Sequence, residues 1–227
     1  MTGIRAVGLD LDGTLFDHRG SASQAVDAFL RGLGVEPTDE ARALWFAAED
    51  AQFEEWRAGR VSFQEQRRRR LQIVLPTVGI SVPDGDCDLD ALFEDYLRAY
   101  RKAWRAFPDA ADVLATLRTQ GLRIGVLTNG SEEQQVDKLR AIGLYDLLDV
   151  VCTSEAIGVQ KPDPRAFEAL AERLGVAPSE CFFVGDHPDQ DVAGALAAGM
   201  PAALIYRERE NALASALPAS IMAKRSN

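Results

Sequence analysis

The 227-residue chain is short of cysteine, of basic charge and of long apolar runs. Its three cysteines, Cys87, Cys152 and Cys181, are an odd number with no Cys-x-x-Cys spacing. That argues against a disulfide framework, and the three read as reduced thiols of a cytoplasmic protein. No apolar stretch approaches the roughly 18 residues of a membrane-spanning helix. The first residues carry no basic segment followed by an apolar core, so no signal peptide is expected. Lys and Arg total 25 against 35 Asp and Glu, a formal net charge of −10. Binding to nucleic acid or to an anionic membrane rests on positive charge, so neither is an expected partner. An anionic ligand is also repelled at long range, and a bound divalent cation would reverse that field locally. Internal repeats and low-complexity linkers are missing too. What the chain does have is 47% hydrophobic residues, enough for a sizeable core in one large or two small domains.

The first informative segment is Asp10-Leu11-Asp12-Gly13-Thr14-Leu15-Phe16-Asp17, directly after the apolar run Ile4-Arg5-Ala6-Val7-Gly8-Leu9. A buried strand ending in two carboxylates one residue apart concentrates like charge where desolvation is costly. A cation between them, or a proton kept on one, relieves the repulsion. Gly13 and Thr14 then break the strand and turn the chain.

Three more polar clusters follow apolar runs. Thr128-Asn129 follows Leu122–Leu127. Lys161-Pro162-Asp163-Pro164 comes after Val150–Thr153. Gly185-Asp186-His187-Pro188-Asp189-Gln190-Asp191 follows Cys181–Val184. Five short apolar segments, at 4–10, 122–128, 149–153, 181–185 and 202–206, alternate with helical patterns. This alternation predicts an α/β fold, a parallel sheet with helices on both faces, and the polar clusters fall at the carboxyl edge where ligands bind. Ser131-x-x-Gln134 forms a capping-box pattern and Gly143 ends that helix. Pro164 suits a first helical turn, with Gly175 as its stop, and Gly199 ends the helix after Asp191. Between Asp17 and about residue 105 there is no strand signal. Four helices are expected there: one capped by Ser21-x-x-Gln24, a second over roughly 38–58, a third opened by Ser62-x-x-Glu65 and ending before Pro76, and a fourth carrying Leu89, Leu92, Phe93, Tyr96, Leu97 and Tyr100. Residues 77–88 read as irregular. The tail from Asn211 to Asn227 tolerates helix, is interrupted by Pro218, and is expected to fray at its basic end.

The four clusters, in this order and over nearly the whole chain, resemble the motifs of the haloacid dehalogenase (HAD) superfamily. The resemblance implies a Rossmann-like core domain over 1–16 and 106–227, with residues 17–105 as an inserted α-helical cap domain. It also implies a Mg²⁺-dependent phosphatase of a small phosphorylated metabolite. Asp10 would be the nucleophile and a Mg²⁺ ligand, since a carboxylate attacking phosphorus splits one hard displacement into two easier ones. Asp12 would be the general acid and base. The superfamily's dehalogenases lack an aspartate at that second position, so Asp12 favours phosphoryl chemistry. By the same resemblance the Asp12 backbone carbonyl and Asp186 complete the metal ligands, and Asp191 orients the metal or Lys161. Thr128 and the Asn129 amide would bind phosphoryl oxygens, and Lys161 would neutralise both nucleophile and phosphoryl group. A phosphomutase of the same fold uses the same aspartate pair and is the alternative, with a catalytically quiet binding protein of this fold a third reading. A phosphonate-cleaving relative needs a cap lysine, and the cap has only Lys102, near its end. A monomer or homodimer is expected.

Several features stand outside this set. His187 reads as a tolerated loop variant, His18 as a solvated loop residue, and Asp189 as solvated. Arg67-Arg68-Arg69-Arg70 read chiefly as a solvated, ion-paired helix face, because neighbours on a helix point about 100° apart. At most one or two of them could face a site and capture an anion. Trp45, Trp56 and Trp104 read as core.

Overall fold

A computed structural model describes residues 3–222, and the basic end of the tail lies outside the described residues. The chain separates into two compact units, Met1–His18 with Trp104–Asn227, and Arg19–Ala103.

Each of the five apolar segments forms a strand. The elements run β1 (Ala6–Leu9), α1 (His18–Gly32), α2 (Asp39–Arg57), α3 (Phe63–Thr77), α4 (Asp86–Ala103), α5 (Ala110–Thr119), β2 (Arg123–Thr128) and α6 (Glu132–Ala141). They continue with β3 (Val150–Thr153), α7 (Ser154–Ile157), α8 (Pro164–Leu174), β4 (Cys181–Gly185), α9 (Gly194–Ala197), β5 (Ala202–Leu204), α10 (Ala212–Ala216) and α11 (Ala219–Met222). All the strand pairings are parallel, in the order β3-β2-β1-β4-β5. This is the Rossmann-like arrangement the alternation predicts. The order reverses beside β1, so the crevice past its carboxyl end is flanked by β2 and β4. Ala6 pairs with both Arg123 and Cys181, and Leu9 with both Val126 and Val184. That register brings Asp10, Thr128 and Gly185 to one edge.

The α/β core closes through α8. Its buried residues Ala166, Phe167, Leu170, Ala171 and Leu174 recur on one helical face. Gly8 and Gly125 admit that face, since a Cβ on either would come within 2.7 Å of Leu170. Phe167 meets Phe183 edge-on at 5.0 Å. Cys152 and Cys181 are buried here, and burial pushes the Cys181 thiol up to about 12. Both remain free thiols, as does the exposed Cys87.

In the helical unit, α1 to α4 bury an aromatic cluster. Trp45 packs at 4.4 Å from Tyr96 and 5.8 Å from Phe29, between ring centroids. Ser62 caps α3 as its spacing predicts, accepting from the Glu65 amide at 3.0 Å. Thr38 caps α2 in the same way. Several local expectations need correction. Helix α1 begins at His18, so Ser21 lies within it, buried, and the amides it would cap belong to the helical ladder. His18 is therefore a helix-start residue, half-buried, not a solvated loop residue. Pro76 sits in the last turn of α3, and the helix closes past it through the Val78 amide to the carbonyls of Val74 and Leu75. A proline that late removes one donor and leaves the preceding turns intact. Residues 86–88 are the first turn of α4, which shortens the irregular stretch. Ser131 precedes α6, but its side chain makes no capping bond.

The four arginines divide. Arg68 pairs with Asp86 at 2.5 Å and Asp90 at 2.7 Å, and Arg69 with Glu65 at 2.9 Å. Arg67 lies over the rings of Phe63 and Phe93. Arg70 departs from the solvated reading: it is buried against Trp45, Phe93 and Tyr96 and pairs with buried Glu49 at 3.3 Å. The buried face of α3 is Gln66, Arg70, Leu71, Val74 and Leu75, and at 70 that face carries an arginine.

Candidate active site

Asp10 follows β1 directly, and its amide bonds the Val184 carbonyl at 2.9 Å, which carries the sheet one residue further. Its side chain is buried. The Lys161 ammonium, also buried, donates to Asp10 Oδ1 at 2.5 Å and to Asp191 Oδ1 at 2.6 Å. Lys161 is held by a reciprocal clasp with Asn129: its amide donates to Asn129 Oδ1 at 2.9 Å, and Asn129 Nδ2 donates to its carbonyl at 3.1 Å. The side-chain amide of Asn129 is thus committed to the lysine's backbone.

Asp191 sits on a π-helical turn, Pro188–Ala193, and is buried. Gly185 makes room for it: a Cβ there would lie 2.3 Å from Asp191 Cγ. Asp191 Oδ2 accepts from the His187 amide at 2.9 Å. His187 itself caps the turn, its Nδ1 accepting from the Gln190 amide at 3.2 Å, so this variant position has a local structural job. Asp189 is exposed, as expected. Asp186 follows β4 and packs against Gly13, where a Cβ would lie 2.1 Å from Asp186 Oδ2. Gly13 also has φ +86°, so glycine is required there on two counts.

Asp10, Asp186 and Asp191 each bring a carboxylate oxygen within 4.8 Å of the others, with Asp186 the most open to solvent. Asp10 Oδ2 is buried and has no hydrogen-bond partner. Three carboxylates face one ammonium, so the cluster carries excess negative charge. Burial pushes the Asp10 carboxyl up to about 8, with the charges of Asp191 and Asp186 adding to the rise and Lys161 opposing it. Burial and Asp191 raise Asp186 as well. Lys161 is raised and held as the ammonium, because Asp10 and Asp191 outweigh its burial. An orphaned buried carboxylate oxygen among all-oxygen donors fits a small, hard divalent cation such as Mg²⁺.

The Asp12 carboxylate is outside this trio. Its Oδ1 accepts from Lys138 Nζ at 2.6 Å and its Oδ2 from Gln135 Nε2 at 3.0 Å. Burial alone would raise Asp12, but Lys138, His18 and these hydrogen bonds prevail and hold it below its ordinary range. The two hydrogens of Gln135 Nε2 are shared among Asp12, Thr128 Oγ1 at 2.8 Å and the Asn129 carbonyl at 3.2 Å. Arg207 completes the surroundings: it stacks on Phe107, pairs with Asp109 at 2.6 Å and donates to the Thr14 carbonyl. The fold therefore brings together all seven residues singled out from the sequence: Asp10, Lys161, Asp186 and Asp191 in one cluster, Asp12, Thr128 and Asn129 joined through Gln135. Sequence reasoning missed Gln135, Lys138 and Arg207. The available signal was the i, i+3 spacing of Gln135 and Lys138 on the helix that follows Thr128-Asn129.

Residues 4–199 match the family model described as haloacid dehalogenase-like hydrolase. A glyceraldehyde 3-phosphate phosphatase from Methanopyrus kandleri is 32% identical over 209 residues, covering 90% of this chain and 84% of that protein. A phosphoglycolate phosphatase from Escherichia coli K12 is 32% identical over 201 residues, covering 87% and 79%. Among solved structures, the HAD-hydrolase YfnB from Bacillus subtilis, bound to magnesium, superposes with a TM-score of 0.75 at 22% identity, covering 89% of this chain and 87% of that one.

Proposed function

The chain belongs to the haloacid dehalogenase-like hydrolase family, and from that membership we propose that it is a Mg²⁺-dependent phosphatase of small phosphorylated metabolites, working through a phosphoryl group carried on Asp10. The observation that carries this reading is Asp10 itself: buried at the end of β1, held on one oxygen by Lys161, with its other oxygen unpartnered. Relatives named for the phosphates of glyceraldehyde and glycolate support the substrate class.

In the proposed reaction, the Asp10 carboxylate attacks phosphorus through one of its oxygens and the ester P–O bond breaks. The departing oxygen takes a proton from Asp12. Asp12 then removes a proton from water, the water oxygen attacks the aspartyl-phosphate, and inorganic phosphate leaves with Asp10 restored. Before substrate arrives, Lys138 favours the ionised form of Asp12; the incoming phosphate dianion raises its proton affinity by like-charge repulsion. Lys161 holds Asp10 in line and offsets the charge gathering on the transferring group. Thr128 accepts from Gln135, which leaves its hydroxyl proton to donate to a phosphoryl oxygen. Asp10 and Asp186, with the Asp12 carbonyl, would hold Mg²⁺ beside Asp191, and the ion would supply the positive charge that screens Asp10 from an anionic phosphate. Residues 17–105 would serve as the cap that selects among leaving groups.

The test is phosphate release from a panel containing glyceraldehyde 3-phosphate, phosphoglycolate, sugar phosphates, nucleotides, flavin mononucleotide and p-nitrophenyl phosphate, with Mg²⁺ or with EDTA. The expected result is Mg²⁺-dependent release into water with no added acceptor. Full activity in excess chelator contradicts the metal role. Return of the phosphoryl group to a sugar phosphate, without release, identifies a mutase instead.

A further inference from the structure

We propose that Gln135 and Lys138 on α6 are positioning residues that fix the Asp12 carboxylate for proton transfer, one donor to each oxygen. The inference rests on the acid–base role given to Asp12 above and adds residues which that reading does not require.

Asp12 precedes a glycine with φ +86°, in a turn, and its side chain is 30% exposed. A partly exposed carboxylate there depends on specific contacts for its direction. Two donors supply them here. Lys138 Nζ takes Oδ1 at 2.6 Å and Gln135 Nε2 takes Oδ2 at 3.0 Å, which fixes the plane of the carboxylate as well as its direction. Each oxygen keeps further lone-pair capacity for a proton or a leaving group. Both donors are themselves immobilised, since Gln135 and Lys138 are each 3% exposed. Gln135 is braced by Thr128 Oγ1 and the Asn129 carbonyl. Lys138 lies 4.9 Å from the ring centroid of Phe16, the residue that bridges to Asp12.

Stability does not account for this lysine. A helical lysine ordinarily extends its ammonium to water. Burying it is costly, and well-packed apolar residues commonly replace buried ion pairs without loss of stability. An ammonium kept buried for the sake of one carboxylate, two residues from Asp10, points to the chemistry of that carboxylate. Gln135 also ties Asp12 to Thr128 through a single amide nitrogen, so the proton-transfer group and the phosphoryl-binding hydroxyl share one brace.

Steady-state kinetics of Asp12→Asn, Lys138→Met, Gln135→Met and the double variant Asp12→Asn/Lys138→Met test this. The two probes are β-glycerol phosphate, whose alkoxide needs protonation, and p-nitrophenyl phosphate, whose leaving group does not. Misplacing a reacting group by about 1 Å can cost about 10²-fold, so Lys138→Met should lower kcat for the alkyl phosphate by about 10- to 100-fold with KM nearly unchanged. The loss should be several-fold smaller for the aryl phosphate. In the Asp12→Asn background, Lys138→Met should cost little more, since the two act as a unit. Gln135→Met, which keeps the ion pair, should show the same leaving-group pattern more weakly and serves if Lys138→Met folds poorly. Equal losses on both probes with raised KM would mean that Lys138 binds phosphate directly, and would overturn the proposal. Additive losses in the double variant, or near-normal kcat in both positioning variants beside a crippled Asp12→Asn, would overturn it too. An Asp12→Asn enzyme with normal kcat on both probes would instead remove the acid–base reading beneath it.

Discussion

In the proposed reaction Asp10 carries two opposing demands in one side chain, since it would have to be ionised to attack and yet is buried among like charges. Burial, with Asp191 and Asp186, raises its proton affinity, so below about pH 8 the cluster tends to keep a proton that a cation must displace. Metal affinity therefore rises with pH through the neutral range, by at most about tenfold per unit for one proton released. Calorimetric titration of Mg²⁺ in two buffers of different protonation enthalpy should show net proton release at pH 7 that fades by pH 9. Binding with no proton release across that range contradicts this account of the cluster. At this scale the sequence is most readable where a polar residue interrupts an apolar strand, because little but chemistry places a carboxylate there. Asp10, Thr128 and Asp186 stand out for that reason. Gln135 and Lys138 do not, because glutamine and lysine on a helix are ordinary solvent-facing residues, and only the packing of α6 turns them towards Asp12.

Helix α3 shows how an element can hide its own exception. Four consecutive arginines look alike in the sequence, yet helical geometry gives each a different neighbourhood. Arg68 and Arg69 meet acidic partners at the surface, whereas Arg70 enters the aromatic centre of the bundle and meets Glu49. Side chains in that pair are 4% and 8% exposed. Removing one partner leaves the other charge buried and uncompensated, a cost of about 3–5 kcal/mol. Arg70→Met should therefore lower the urea midpoint substantially, and Glu49→Leu added to it should recover much of the loss. Additive losses in the double variant would mean that the two do not act as a pair. Element boundaries follow the same logic. Ser62 and Thr38 cap because the chain enters those helices in extended conformation. Ser21 does not, because the helix has already begun at His18, and nothing in the Ser-x-x-Gln spacing reports where the preceding turn ends.

For the whole molecule, the parallel order β3-β2-β1-β4-β5 does the gathering. Residues 10, 128, 161 and 186–191 lie in four separate stretches of the chain, and the sheet brings them together because each stretch lies at or beyond the carboxyl end of a strand on one edge. Alternation of apolar runs with helical patterns is enough to read that much from sequence. The ion pairs inside the site depend on side-chain packing and are not legible in this way. A net charge of −10 would repel phosphate monoesters at a distance, so in the proposed reaction the site would supply its own positive field through Lys161, Lys138 and a cation. The proposed reaction turns on a phosphoryl group carried by Asp10. The most direct measurement is rapid acid quenching of the enzyme turning over p-nitrophenyl phosphate with Mg²⁺, followed by peptide mass spectrometry. The account predicts one phosphoryl mass on the peptide containing Asp10, its absence in Asp10→Asn, and a loss of turnover of about 10³-fold or more in that variant. Turnover by Asp10→Asn at a rate near that of the unaltered enzyme, with no phosphoryl group found on residue 10 of either protein, would contradict it.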